Sequence, residues 1–447
     1  MLTCPAVVTH SEPASCSHAT CYDETLPSAA TDAQLHSAAR FVISPDGHAD
    51  DASLQAAFKL LRAEAPVLWV DTPGMRPFWL LSRYTDISTA ERRGAPFSAA
   101  PRTFLASRMA EERLERILGK PYVLRGLLQM DDPDHAAYRA VAQPHFTAGA
   151  LVALEPWLES WADHIVSRVA GRTDLFDFTK EIAVPFSIRG IMRLLGLPEV
   201  DDDLIVKLSW GLTGPEDPVR RLADHPTTAI CRAGFGFQSY FDPVAADRRA
   251  CPRHDLSSVI ATAQVQGEPM PDYERFSYYA MIATGGHDTI AFCLSGGMHA
   301  LIEHKEQLAR LRADPSLIDT AIEEMLRWTT PGRHIVRTAT EDVELGGQTI
   351  RAGEAVALFF NSANRDESVF ANADEFRIDR RPNPHLAFGL GRHHCIGTHL
   401  ARLEMRALLK ILLPRLESVE LAAPPRRTCS TMVSGISSLS IRCAWRT

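Results

Sequence analysis

The run Phe388-Gly389-Leu390-Gly391-Arg392-His393-His394-Cys395-Ile396-Gly397 constrains this chain more than any other feature, and a helical apolar pattern follows it at once. One cysteine stands in a glycine-rich turn at the head of a helix. A thiolate binds metal far better than a thiol, and the unpaired amides of a helix N-terminus lower the thiol pKa from its usual value of about 8.5. Gly389, Gly391 and Gly397 permit tight turns and let the backbone approach a flat ring closely, and Phe388 is placed to shield the sulfur from water. The pattern predicts a sulfur held as a metal ligand beneath a planar group. A buried structural cysteine beside a turn is the alternative.

The rest of the chain bounds the setting. Its 447 residues suit two domains or one large one. A net charge of −8 argues against a nucleic-acid partner. No run approaches the ~18 apolar residues of a membrane span. Residues 1–40 are rich in Ser, Ala, Thr and His without an apolar signal core. They are expected to be a flexible leader before a single helix-rich domain over 41–447, located in the cytoplasm. Nine cysteines, an odd number spread over a long chain, argue against a disulfide framework. Cys4, Cys16 and Cys21 with His10 and His18 match no standard zinc spacing.

Apolar periodicity predicts helices over 151–169, 181–195 (despite Pro185), 204–212, 229–249, 271–311 with a break near His304, and 317–328. Trp79-Leu80-Leu81 reads as an early strand. The period changes to two at Val343-Glu344-Leu345, the Gly346-Gly347 turn, Thr349-Ile350 and 355–360. A last helix is expected from Cys395 to about Leu413, where Pro414 should end it. The fold class is therefore mainly α with a minor β-sheet region.

A second constellation lies in Met281-Ile282-Ala283-Thr284-Gly285-Gly286-His287-Asp288-Thr289-Ile290. Each glycine costs a helix about 1 kcal/mol relative to alanine, so something must offset Gly285 and Gly286. A kink that opens the helix groove toward a ligand is one answer. A capped kink in a core helix, with Thr289 bonded back to a carbonyl, is the other. Asp288-Thr289 is an acid–alcohol pair: the hydroxyl can hold a water and the carboxylate can resupply protons from solvent. Glu324 and Arg327, three apart, project from one helix face. His135 and Arg139, four apart, follow Pro133 at a helix start.

Together these motifs resemble the cytochrome P450 family over essentially residues 40–445. The resemblance implies haem b between a long central helix and the C-terminal helix. Cys395 would be its axial ligand, in a run where Phe388, Gly389, Gly391, His393, Cys395 and Gly397 match the family signature. It implies that Gly285 and Gly286 lie over the open haem face, with Asp288 and Thr289 as the proton path and Ile290 where a second hydroxyl is common. His287 would point away. It implies a buried ion cluster of Glu324, Arg327 and Arg380. His135, Arg139, Arg337 and His393 would clamp the haem carboxylates, because arginine forks suit carboxylates.

The activity implied is insertion of one oxygen atom from O2 into a C–H bond of a chiefly apolar small molecule: a terpenoid, a steroid-like molecule or an aromatic. Electrons would come from NAD(P)H through ferredoxin reductase and ferredoxin, since no Gly-x-Gly-x-x-Gly opens a helix here. Arg392, His394, Arg402 and Arg406 would offer an acidic ferredoxin a positive face. Met281, Thr284, Arg333 and Val433 are the expected substrate contacts, with Arg333 or His334 able to pair with a substrate carboxylate. The rival readings are a peroxide-driven peroxygenase on the same fold, a non-catalytic haem gas sensor, and a structural zinc protein.

Overall fold

The computed structural model describes residues 30–93 and 96–446. Helices α1 (Asp32–Val42) and α2 (Asp51–Glu64) lead into strands β1 (Val67–Val70) and β2 (Phe78–Leu81). Then come α3 (Tyr84–Arg93), β3 (Phe97–Ser98), α4 (Arg108–Leu118) and α5 (Asp134–Ala142). The helical body comprises α6 (Glu155–Ser167), α7 (Val184–Leu194), α8 (Asp202–Thr213), α9 (Pro226–Ala250), α10 (Asp272–Gly285), α11 (Asp288–Glu303), α12 (Lys305–Ala313) and α13 (Ile318–Thr329). Strands β4 (His334–Ala339), β5 (Val343–Leu345), β6 (Gln348–Ile350) and β7 (Ala355–Phe359) follow. Helix α14 (Thr398–Arg415) comes after the cysteine loop. This is the mainly α architecture with a small sheet that the periodicity predicts.

Residues 1–29, with Cys4, Cys16, Cys21, His10 and His18, lie outside the described residues. The leader expected over 1–40 ends too late, because α1 begins at Asp32. Thr31 and Gln34 form a reciprocal capping box, and Ala38, Ala39 and Val42 are fully buried.

The main sheet has the order β1-β2-β7-β4-β3, with β2 and β7 parallel and the other pairs antiparallel. Its register sets Val356 beside both Trp79 and Arg337, which holds Arg337 in mid-sheet. No helix among the described residues is long and apolar enough to cross a membrane.

Three helix boundaries differ from the periodicity, each for a local reason. The stretch over 271–311 breaks at His304 as expected and once more besides: α10 stops at Gly285 and α11 restarts at Asp288. Pro185 falls in the first turn of α7 after a π-helical turn (Thr179–Ala183), where its missing N–H costs little. Helix α14 starts at Thr398, not Cys395, and runs one residue past Pro414, which sits in its last turn.

Candidate active site

The α10–α11 junction and the cysteine loop border one cavity of roughly 770 Å3, lined among others by Gly285, Thr289, Phe388 and Cys395. In the loop, Gly389 and Gly391 take positive φ (66° and 64°), the left-handed region that glycine enters without strain. A Cβ at Gly391 would also stand 2.6 Å from the Glu91 carbonyl oxygen of α3. The Cys395 amide donates to Phe388 O at 2.9 Å, and Thr398 Oγ1 donates to Cys395 O at 2.7 Å. The Arg402 guanidinium covers the Phe388 ring at 4.8 Å.

Cys395 is open only toward this cavity, and the dense protein around it pushes its thiol pKa up. The Gly397 amide, Arg139, Thr398 and Arg402 pull the other way without prevailing. The pKa lowering expected from a helix N-terminus is outweighed by this burial, and α14 starts three residues beyond the sulfur. A metal ion replaces the proton and removes that obstacle. Gly397 has an ordinary φ of −84°, so it makes no special turn. A Cβ there would meet only Cys395 Sγ, at 3.8 Å, and the glycine keeps the cavity side clear.

His135, Arg139, Arg337 and His393 all line the cavity. The His135 and His393 rings lie 4.3 Å apart. Burial lowers both pKa values, that of His393 to about 3, with Arg337 adding to the effect at His393 and Arg139 at His135. Arg337 Nη2 lies 3.2 Å from Glu91 Oε1 as a charge pair, without hydrogen-bond alignment. Among the described residues, His135 Nε2, His393 Nδ1 and Arg337 Nη2 thus all lack hydrogen-bond partners. Buried polar atoms are rarely left so, and each costs about 1–3 kcal/mol. Several unpaired nitrogens around one cavity, with a sulfur facing it, fit a flat iron-bearing ring with two carboxylates.

Glu324 accepts from Arg327 Nε and Nη2 at 2.8 Å each, and from Arg380 Nε at 3.1 Å. All three are buried. Burial alone would raise the Glu324 pKa; Arg327, the Arg377 amide and Arg380 hold it below the usual range.

The glycine pair divides its work. A Cβ on Gly285 would meet nothing within 4 Å, whereas one on Gly286 would run into Ile191 of α7. Gly286 therefore serves close helix packing, and Gly285 leaves the cavity wall flat. Gly286→Ala is expected to cost about 1–3 kcal/mol through overpacking, more than the helix propensity it gains. Gly285→Ala should keep its stability but lose bound cofactor. Urea unfolding and pigment content distinguish the two, and equal stability in both variants would contradict this division.

Thr289 Oγ1 donates to Gly285 O at 3.2 Å, the bonded-back arrangement, while still lining the cavity. Asp288 is 1% exposed. Its oxygens accept from Arg220 Nη1 at 2.9 Å, Arg220 Nη2 at 3.1 Å and Thr213 Oγ1 at 2.9 Å. Desolvation opposes ionisation here, but the Arg220 charge prevails and holds the carboxyl below its usual range. The expected open route from this carboxylate to solvent is absent in this arrangement, because Arg220 and Thr213 cover it. His287 is buried with Nδ1 on Ala283 O at 2.9 Å.

Met281, Thr284 and Val433 line the cavity as expected of substrate contacts. Thr284 Oγ1 shares a hydrogen bond with Ser209 at 3.2 Å, and Met281 Sδ accepts from the Leu127 amide at 3.3 Å. Arg333 does not line it: its neighbours Gly332 and His334 do, while Arg333 is 0% exposed. Burial drives its pKa well down, and its charge acts on Arg427 and His48 behind the wall. Of the two residues expected to meet a substrate carboxylate, only His334 thus lines the cavity.

Over 413 residues the chain is 37% identical to Cytochrome P450-terp of Pseudomonas sp, covering 90% of this chain and 96% of that relative. The chain belongs to the cytochrome P450 family. The Cytochrome P450 family model matches residues 251–439. This P450 is also 38% identical over 329 residues to a Steroid C26-monooxygenase of Mycolicibacterium smegmatis, covering 72% of this chain and 79% of the relative. The crystal structure of CYP108D1 from Novosphingobium aromaticivorans matches with a TM-score of 0.84 at 36% identity, covering 92% of this chain and 99% of that one. It is an oxidoreductase, a monooxygenase that works with haem b, O2 and NAD(P)H through redox partners.

Two features of this P450 carry no motif. On the surface, Arg402 pairs with Glu323 and Arg406 with Asp319, at 2.6 and 2.7 Å, and Arg392 lies 2.5 Å from Asp132. The three arginines of the expected positive face are thus each matched by an acid, while no acid pairs with His394 among the described residues. In the core, Glu404 on α14 is 0% exposed and neither carboxyl oxygen has a partner. It abuts Gly190 of α7, and burial lifts its pKa well above the usual range. Folded Glu404 is neutral where the unfolded side chain has already ionised. Its contribution is therefore greatest below about pH 4.3 and falls by up to about 1.4 kcal/mol per unit as pH rises toward the folded pKa. Glu404→Gln should remove that contribution to the slope above about pH 4.3 in urea unfolding; parallel slopes in both proteins would contradict it.

Proposed function

We propose that this P450 hydroxylates a chiefly apolar small molecule of terpene-like, steroid-like or aromatic type, in the cytoplasm, with electrons relayed by a ferredoxin reductase and a ferredoxin. The observation that carries this reading is a single cavity bordered by both Cys395 and Thr289 and walled largely by apolar residues such as Leu114, Ile230 and Val433. Such a wall selects apolar substrates. The names of the two curated relatives, P450-terp and Steroid C26-monooxygenase, point to the same classes.

Cys395 would hold the iron, and His135, Arg139, Arg337 and His393 would hold the haem carboxylates. Haem, when bound, supplies the activation of dioxygen and the transfer of one oxygen atom. The protein's part is to shape and dry the pocket and to manage protons. Thr289 Oγ1 can exchange its bond to Gly285 O for a water in the cavity and hold a proton there. Asp288, bound to Arg220, keeps a charge one residue away and fixes the start of α11.

The test is a titration of the purified protein with terpenes, steroids and aromatic acids, read by the optical shift of the haem, followed by turnover with reductase and ferredoxin. Thr289→Ala should keep consuming NAD(P)H while product falls at least tenfold and hydrogen peroxide accumulates. Undiminished product in that variant, or equal turnover of the native enzyme with peroxide alone, would sink the proposal.

A further inference from the structure

Glu91 is a buried acid placed where acids are least expected. It stands on α3, 7% exposed, with Oε1 3.2 Å from Arg337 Nη2 of β4. Its Oε2 accepts from the Leu390 amide of the cysteine loop at 3.5 Å. It lines the main cavity and, with Arg337, His135 and His393, a second one of about 270 Å3.

The groups facing this corner are Arg337 from β4, His393 from the loop, His135 and Arg139 from α5, and Asp131 and Asp132 just before α5. Asp131 already accepts from Ser98 and from the Ala99 and Ala100 amides. Asp132 is drawn outward by Arg392. Burial disfavours charge on both histidines. The lasting positive charges at the corner are thus Arg337, Arg139 and Arg392, the last lining the second cavity and already paired with Asp132. Haem brings two carboxylates, and an ionised Glu91 would add a third anion in a dry place. Neighbouring carboxylates in such settings share a proton, because both cannot ionise cheaply.

We propose that Glu91 is a further member of the haem-carboxylate cradle: as the cofactor enters, it takes one proton from solvent and donates its O–H to a haem carboxylate. The inference rests on the reading of this cavity as the haem site. The O–H bond that forms at Glu91 is balanced by the O–H bond broken in the solvent hydronium ion, which leaves as water, and Arg337 is released to pair with the cofactor. Burial already holds the Glu91 carboxyl above its usual range, with Arg337 and the Leu390 amide opposing.

The experiment follows haem leaving the holoenzyme for an excess of apomyoglobin across neutral to alkaline pH. In the native protein release should accelerate by up to about tenfold per pH unit as Glu91 loses its proton. Glu91→Gln, which keeps a donor and cannot ionise, should release haem slowly without that rise. At the alkaline end it should hold haem tenfold or more longer than the native protein. Faster release from Glu91→Gln with an unchanged pH slope would make Glu91 only a structural partner of Arg337 and overturn the proposal. If that variant does not fold, the infrared difference spectrum of native haem release decides. Loss of a protonated-carboxyl stretch supports the proposal and its absence refutes it. A purified protein without haem would instead refute the reading beneath the proposal.

Discussion

Glu324→Gln is expected to be among the most damaging single changes in this chain. The native carboxylate compensates two buried guanidinium groups, accepting from Arg327 at 2.8 Å and from Arg380 at 3.1 Å, and takes the Arg377 amide at 2.8 Å as well. Glutamine leaves two buried cations facing a neutral amide, and breaking such a pair costs about 3–5 kcal/mol. Set against total stabilities of about 5–15 kcal/mol, that is enough to unfold much of the population on mild warming. The damage should reach the cofactor. Arg327 also donates to Asn364 O, Ala373 O and Glu375 O at 2.8, 2.9 and 3.0 Å, tying down the segment that leads into the cysteine loop. Expected readouts are a lower urea midpoint and a pale, haem-poor protein. Because the folded Glu324 pKa is depressed, its stabilisation is complete above about pH 5 and is lost only as pH falls through the folded value. A native-like midpoint in Glu324→Gln at neutral pH would show that the arginines find other partners.

The second large effect concerns Asp288 and Arg220. They are 1% and 3% exposed, and the guanidinium is further packed against Trp210 and Phe292 at 4.9 and 4.7 Å. Asp288→Asn leaves Arg220 uncompensated, and Arg220→Met leaves the carboxylate so. Each should cost about 3–5 kcal/mol. The double variant should cost less than the sum of the two singles, with a coupling energy of about 0.5–3 kcal/mol in a double-mutant cycle. Asp288 is held ionised below its usual range, so this loss should not vary between about pH 6 and 8. Additive single effects would mean that the two side chains do not act together. Product formation is expected to fall in both singles, since each disturbs the start of α11 beside Thr289.

What could be read from the residues alone was local in sequence. The cysteine loop, the Glu-x-x-Arg spacing, the His135/Arg139 pair and the Asp288-Thr289 dipeptide each declare themselves within a few positions, and the structure brings them to the places described above. What stayed hidden needs partners far apart in the chain. Arg220 lies 68 residues from Asp288, and Arg337 is brought beside Glu91 only by the sheet. Nothing around Glu404 distinguishes it from a surface glutamate of an amphipathic helix until α7 presents Gly190 against it. Arg333 shows the opposite failure. Its position in the sequence beside the cavity was legible, but the direction of its side chain was not. Composition could not tell a glycine that flattens a wall from one that admits a neighbouring helix, as Gly285 and Gly286 do.

The parallel pairing of β2 with β7 has a consequence for biosynthesis. Trp79 must wait for Val356 to leave the ribosome before the sheet can close. At about 5–20 residues per second that interval is on the order of ten to fifty seconds. During it the nascent N-terminal layer carries an incomplete sheet edge, the condition under which emerging chains stick to one another. Yield in a host should therefore respond to chaperone supply and lowered growth temperature more than to codon choice.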